Sequence, residues 1–245
     1  FIPYTASGFA ACGKLFSTLF GVSYVPAMIV SAIVIVAYTA LGGFSAASTT
    51  DLIQSIVMSF ALICVVLFGV KTAGGTDVIL SQAGELPGYL SMTQTYMNGE
   101  ATEYGAIKIA SMLAWGLGYF GMPHILLRFM AIEDEKKIKI SRRIATVWVV
   151  ISMSVAIFIG IVGNNLSRNG ALQVLEGSDS EKLIITLGTL MSKSGFLGIL
   201  VAGLIMSGIL ACTMSTADSQ LLAASSSISE DLLKKVFHLE IKEKT

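Results

Sequence analysis

The chain has 245 residues, 54% of them hydrophobic and only 13% charged, with no net charge and a mean hydropathy of +0.77. Charged residues are about half as frequent as in a soluble domain, which excludes an ordinary water-soluble fold. The charges are bunched, leaving uncharged runs at 15–50, 52–70, 109–127, 144–167 and 194–217. A membrane-spanning helix needs about 20 apolar residues, and every one of these runs is close to that length or longer. Strict alternation over about ten residues, the mark of a membrane barrel, is absent. The sequence therefore predicts an all-α polytopic membrane protein embedded in a lipid bilayer. It has no Gly-rich phosphate loop, no paired metal-ligand histidines and no Ser/His/Asp setting, so an enzyme is not expected, and nothing calls for a nucleic-acid partner.

Residues 1–11 read as the end of a helix. The chain starts at Phe1 in apolar sequence and stops at Thr245 in a charged stretch, so an internal piece of a longer protein is expected, forming a single transmembrane domain over 1–245. A span is predicted over 26–41, with Pro26 suited to a first helical turn and Gly42-Gly43 ending it. The next is expected over 50–70. The polar stretch 71–104 carries turn signals at Gly74-Gly75, Pro87-Gly88 and Asn98-Gly99 and has room for a short helix near 77–90. A span over 106–130 follows, expected to break near 116–123. Then come spans over 144–163 and 196–226, separated by a polar loop with a helix near 180–191 for which Ser180 resembles a cap.

Orientation follows from Lys/Arg bias in short loops. Arg128, Lys136, Lys137, Lys139, Arg142 and Arg143 crowd one loop, and Lys234, Lys235, Lys242 and Lys244 mark the tail. Loop 131–143 and the C-terminal tail are therefore expected in the cytoplasm, with the protein in the plasma (inner) membrane. Cys12, Cys64 and Cys212 have no metal or redox spacing.

The predicted break carries the first functional signal. Trp115-Gly-Leu-Gly-Tyr-Phe-Gly-Met-Pro123 places three glycines and a proline inside an apolar window. Each interior glycine costs a helix about 1 kcal/mol relative to alanine, and an interior proline about 3 kcal/mol. Irregular backbone at membrane depth is tolerated where it is buried in protein or lines a watery cavity, and secondary transporters bind solutes at such breaks. A kinked packing helix is the alternative, because both residues are enriched in membrane helices. Trp115 and Tyr119 are four residues apart, and Phe120 adds a third apolar face. A small solute would rest against them while backbone from Gly118 to Pro123 reads its polar ends.

The second signal is the polar density of the last span. Cys212, Ser215, Thr216 and Ser219 fall on one helical face. Hydroxyls and a loosened Cys212 carbonyl are hard, neutral ligands suited to Na⁺, by extension from other oxygen-ligated cations. The alternative is that the hydroxyls bond back to their own helix or hold helices together. Asp218 shifts the balance, since intramembrane carboxylates are expensive and functional by default; its own alternative is a place at the cytoplasmic end, solvated or capping a neighbouring helix. Asp51 has two readings: a helix cap favoured by the dipole, or the inner mouth of a cation path.

The run Trp115–Met130 and the run Met214-Ser-Thr-Ala-Asp-Ser-Gln-Leu-Leu222 closely resemble the sodium/solute symporter family. Pro3–Gly8 and Gly42–Gln54 are similar to it too, and the likeness runs in order along nearly the whole chain. The first motif is specific to the family's proline carriers. The resemblance implies a LeuT-type five-plus-five inverted repeat, of which this chain would hold about core helices 3 to 8, with core helices 1, 2, 9 and 10 elsewhere in the parent chain. It implies sodium-coupled symport of L-proline by alternating access, with Na⁺ as the co-transported ion. Trp115, Tyr119, Pro123 and Gly118 would line the solute site. Ser215, Thr216 and the Cys212 carbonyl would supply half of the main Na⁺ site. Asp51 would stand on the ion path, and Asp218 and Ser219 match a second Na⁺ site of some relatives. At Asp218 the chain departs from one of the family's proline carriers, which is uncharged there, so the resemblance leaves the second ion and the stoichiometry open. A sodium symporter of another small solute, and a transporter-like sensor domain of a larger signalling protein, are the alternatives.

Overall fold

A computed structural model describes residues 2–97, 99–175 and 177–239. Nine helices in these residues carry the fold: α1 (Ile2–Phe20), α2 (Tyr24–Ala73), α3 (Thr76–Gly84), α4 (Ala106–Gly118), α5 (Pro123–Met130), α6 (Glu135–Arg168), α7 (Leu183–Ser192), α8 (Phe196–Ser226) and α9 (Ser227–Val236). Four helical stretches are long and apolar enough to cross a membrane: Tyr24–Ala73, Ala106–Met130, Glu135–Arg168 and Phe196–Val236. The protein is a helical, multi-pass membrane protein.

Two helices depart from straight rods in informative ways. Within α2, Gly43 has φ 55° and ψ −152°, a conformation in which a side chain would be strained. The glycine pair therefore interrupts the helix, and the helix resumes at once, so Asp51 lies well inside the second half of α2 and caps nothing. Between α4 and α5 the α-helix ends at Gly118, a tighter turn follows over Tyr119–Gly121, and Met122 is extended at φ −77° and ψ 111°. Pro123 then opens α5. An extended residue before proline follows from the clash between the proline ring and the preceding backbone.

The polar stretch holds α3 and a two-stranded antiparallel hairpin, β1 (Gln94–Met97) and β2 (Glu100–Glu103), with Met97 opposite Glu100. The sequence reading has a turn there without the strands; Asn98 lies outside the described residues. Near 180–191 the helix is α7, which begins at Leu183. Ser180 does not cap it: its hydroxyl donates back to the Gly177 carbonyl at 2.5 Å. The basic tail begins as α9, a widened helix in which Phe237 N–H bonds the Leu232 carbonyl at 3.0 Å. Lys234 and Lys235 pair one turn back with Glu230 and Asp231. Lys242 and Lys244 lie outside the described residues.

The chain forms two compact units. The first comprises residues 1–58, 123–131 and 207–245, the second residues 59–122 and 132–206. One crossing between them falls at the break, between Met122 and Pro123.

In the first unit, Cys12, Ile35 and Ala217 form a buried cluster with Phe9, Tyr38, Leu210 and Met214 packed on it. Small residues bring the helices close. A Cβ on Gly8 would lie 3.1 Å from the Ala217 Cβ, and one on Gly13 would lie 2.7 Å from the Met28 Cβ. Close backbone approach through small residues is how membrane helices gain dispersion contacts where no water drives them together.

The second unit joins α3 to α6. Ile79 and Ala83 are buried, Asn165 donates to Gln82 Oε1 at 2.7 Å, and Arg168 donates to the Gln82 carbonyl at 3.1 Å. Trp148 of α6 reaches Ser59 of α2 at 3.1 Å.

Candidate functional site

The polar residues of α8 converge with α2 and α5 inside the first unit. Ala217, Asp218, Ser219 and Gln220 are all buried, at 0%, 0%, 8% and 2% exposure. Four successive residues cover every side of a helical turn, so α8 is enclosed here all the way round. A carboxylate in such a place requires partners, because an unpaired buried charge costs several kcal/mol.

Those partners are present. The Tyr38 hydroxyl of α2 donates to Asp218 Oδ2 at 2.9 Å. Ser219 Oγ donates to the Ser215 carbonyl at 2.9 Å and lies 3.4 Å from Asp218 Oδ1. Arg128 of α5 donates through one guanidinium nitrogen, Nη2, to Ser219 Oγ at 2.6 Å and to Asp51 Oδ2 in a close ion pair. Asp51 is therefore neither a cap nor solvated: its side chain is 10% exposed. Its second oxygen, Oδ1, is buried without a hydrogen-bond partner among the described residues. The same turn of α8 is anchored on a further side, with Gln220 Nε2 lying 2.8 Å from His124 Nδ1 and the His124 ring 6.2 Å from that of Tyr4.

One turn earlier on α8 the hydroxyls bond to their own helix. Thr216 Oγ1 donates to the Cys212 carbonyl at 3.1 Å, and Thr213 Oγ1 to the Ile209 carbonyl at 2.9 Å. Thr216 keeps both oxygen lone pairs, and the Cys212 carbonyl keeps acceptor capacity beside it. Two neutral oxygens therefore stand together on a half-exposed face. Cys212 and Thr216 are exposed and Ser215 half-buried.

The structure thus brings together Asp51, Asp218 and Ser219, with Cys212, Ser215 and Thr216 on adjoining turns of the same helix. The donor set is carboxylate, hydroxyl and carbonyl oxygen, the set that hard cations prefer. The buried, unpartnered Asp51 Oδ1 fits such a cargo. Among the described residues, no three His, Cys, Asp or Glu side chains gather where they could hold a metal ion.

Trp115, Gly118 and Tyr119 belong to the second unit. Trp115 is 66% exposed and Tyr119 50%, and nothing lies within 4 Å of a Cβ built on Gly118. They form an open aromatic surface beside the break, whereas Pro123 opens α5 in the first unit. The Phe120 side chain lies outside the described residues.

Sequence reasoning missed two members of the oxygen cluster. Tyr38 sits in an apolar run with no signal to single it out. Arg128 stands out in the sequence only as one of the basic residues beside the 131–143 loop; the structure turns its guanidinium onto Asp51 and Ser219. The one signal in the sequence is its position on the short helix that Pro123 opens beyond the break.

A sequence profile described as the Sodium:solute symporter family matches residues 1–245. The High-affinity proline transporter PutP of Bacillus subtilis is 36% identical over 244 residues, which cover 100% of this chain and 48% of that protein. The Osmoregulated proline transporter OpuE of the same organism is 34% identical, over 100% of this chain and 46% of its own. The Sodium/proline symporter of Salmonella typhimurium is 37% identical over 235 residues, 96% of this chain and 44% of its own. The chain thus spans just under half the length of each of these relatives. No solved structure matches it. With the profile covering every residue, on helices apolar enough to cross a bilayer, the chain belongs to the sodium:solute symporter family.

Proposed function

We propose that this chain is part of a carrier that moves L-proline across the plasma membrane together with Na⁺. The observation that carries the reading is the convergence of Asp51, Asp218 and Ser219 within helices otherwise apolar enough to span a bilayer. Buried carboxylates at membrane depth are retained where they handle ions. The names of the relatives, proline transporters and sodium/proline symporters, supply the solute and the ion.

In this reading Na⁺ binds to Ser215, Thr216 and the Cys212 carbonyl, with Asp51, Asp218 and Ser219 forming the path or a second ion position. Proline rests on Trp115 and Tyr119, its polar ends held by backbone at Gly118 and by the opening turn of α5 at Pro123. The arrangement follows a LeuT-type inverted repeat, with the remaining half of each site supplied by core helix 1. Na⁺ drives uptake because it favours the outward-open conformer; a ligand indifferent to conformation would shift nothing. Loop 131–143 and the tail face the cytoplasm, where their Lys and Arg are favoured.

The test is uptake of labelled proline into vesicles holding the full-length protein. An imposed inward Na⁺ gradient should drive accumulation above equilibrium. Uptake that is equal under Na⁺ and K⁺ gradients would sink the coupling. A sodium symporter for a different small solute is the second reading. A panel of unlabelled amino acids and carboxylates competing against proline separates the two.

A further inference from the structure

The contacts of Arg128 bear on how a cation reaches the oxygen cluster, given the Na⁺ symport proposed above. One nitrogen of its guanidinium takes both Asp51 Oδ2 and Ser219 Oγ. These are two of the oxygens that an incoming cation would use. The other Asp51 oxygen is buried and unpartnered, although an ionised carboxylate has room for about four hydrogen bonds. Among the described residues, Asp51 is thus held through one oxygen by a positive charge, and its other oxygen has no hydrogen-bond partner.

Co-occupation of the same oxygens is unfavourable. Two unit positive charges about 4 Å apart repel by about 4 kcal/mol at the effective dielectric of a protein site. Withdrawal is open to one partner only: the Arg128 side chain is 45% exposed and the Asp51 side chain 10%. Asp51 lies within α2 and Ser219 in the enclosed turn of α8, whereas Arg128 sits on the short helix α5, at the end of a long flexible side chain. The mobile member of the trio is the guanidinium.

We propose that Arg128 is an internal stand-in for the cargo cation: it closes on Asp51 and Ser219 when the site is empty, and Na⁺ takes those oxygens by displacing it. The empty carrier then never leaves Asp51 as an unpaired buried charge, and Na⁺ entry exchanges one positive charge for another. Asp218 keeps its own donor, Tyr38, throughout.

Equilibrium binding of ²²Na⁺ to the purified full-length protein tests this without relying on transport. If the guanidinium holds the site about nine-tenths of the time, Arg128→Gln should tighten Na⁺ binding about tenfold, since apparent affinity scales with the open fraction. Arg128→Lys keeps the charge on a shorter, non-planar group and should tighten it by an intermediate amount, about threefold on the same reasoning. In an Asp51→Asn background the Arg128→Gln effect should vanish, because the competition runs through that carboxylate. Unchanged or weaker Na⁺ binding in folded, monodisperse Arg128→Lys and Arg128→Gln proteins overturns the stand-in role and leaves the symport reading intact. A tightening by Arg128→Gln that persists in the Asp51→Asn background overturns it too. Wild-type protein with no saturable Na⁺ binding overturns both readings together.

Discussion

The oxygen cluster of the first unit and the aromatic surface of the second solve opposite problems. Asp218 and Ser219 are buried and the Asp51 side chain is 10% exposed; their donors come from the same unit, Tyr38 for Asp218 and Arg128 for Asp51 and Ser219. Trp115 and Tyr119, beside the break, are at least half exposed. The difference is one of cost. A buried carboxylate without a partner costs several kcal/mol, so the fold must supply its partner directly. An aromatic ring carries no comparable debt, so it can stay open to whatever docks on it. Charge is held in place and apolar surface is left available.

The largest effect expected from breaking this contrast is at Asp51. Asp51→Ala leaves the Arg128 guanidinium facing a hole, at a cost of about 2–3 kcal/mol, below the usual range for a broken buried pair because Arg128 is 45% exposed. The measurement is thermal unfolding of the detergent-solubilised full-length protein; an unchanged midpoint would mean the pair holds nothing. Next is Tyr38→Phe, which removes the donor to Asp218 and should cost about 1.5 kcal/mol, as expected for a hydrogen bond to a charged group. Equal stability of the two proteins would show that Asp218 is satisfied by other means.

Thr216→Ala tests the neutral oxygens. On an exposed face its stability cost should stay within about 0.5 kcal/mol. The Na⁺ concentration for half-maximal uptake should nevertheless rise about tenfold, equivalent to about 1.4 kcal/mol. An unaltered Na⁺ dependence would remove Thr216 from the ion site. Trp115→Ala is the mildest for the fold, again within about 0.5 kcal/mol. Loss of its ring face should raise the solute concentration for half-maximal uptake about fivefold, matching an aromatic contact of about 1 kcal/mol. A large drop in stability with unaltered solute dependence would turn the open surface into a packing face and end the comparison.

Much of the helical plan was legible in the residues, because apolar run length and charge clustering report directly on burial in a bilayer. The Gly/Pro punctuation of 115–123 lies where the helix is interrupted, since glycine entropy and the proline clash act locally. Gly43 was legible as a stop for the same reason, but its sequel was not: the helix resumes at once, and Asp51 sits inside it instead of at its cap. The hairpin at 94–103 escaped notice because four-residue strands leave too short a pattern to read. Ser180 looked like a cap by residue type, yet its hydroxyl turns to a nearer carbonyl.

What the sequence determined alone was the class of protein and the kinds of atoms it places in the membrane: apolar helices, one interrupted helix, and hydroxyl and carboxylate oxygens on α8. Both follow from hydrophobicity and local backbone energetics, which act over a few residues. Which charge meets which was decided only in three dimensions. Asp51, Arg128 and Ser219 are far apart in the chain, and pairing depends on the close approach of α2, α5 and α8. The cost of burying charge then selects the arrangement in which both Asp51 and Asp218 find a donor.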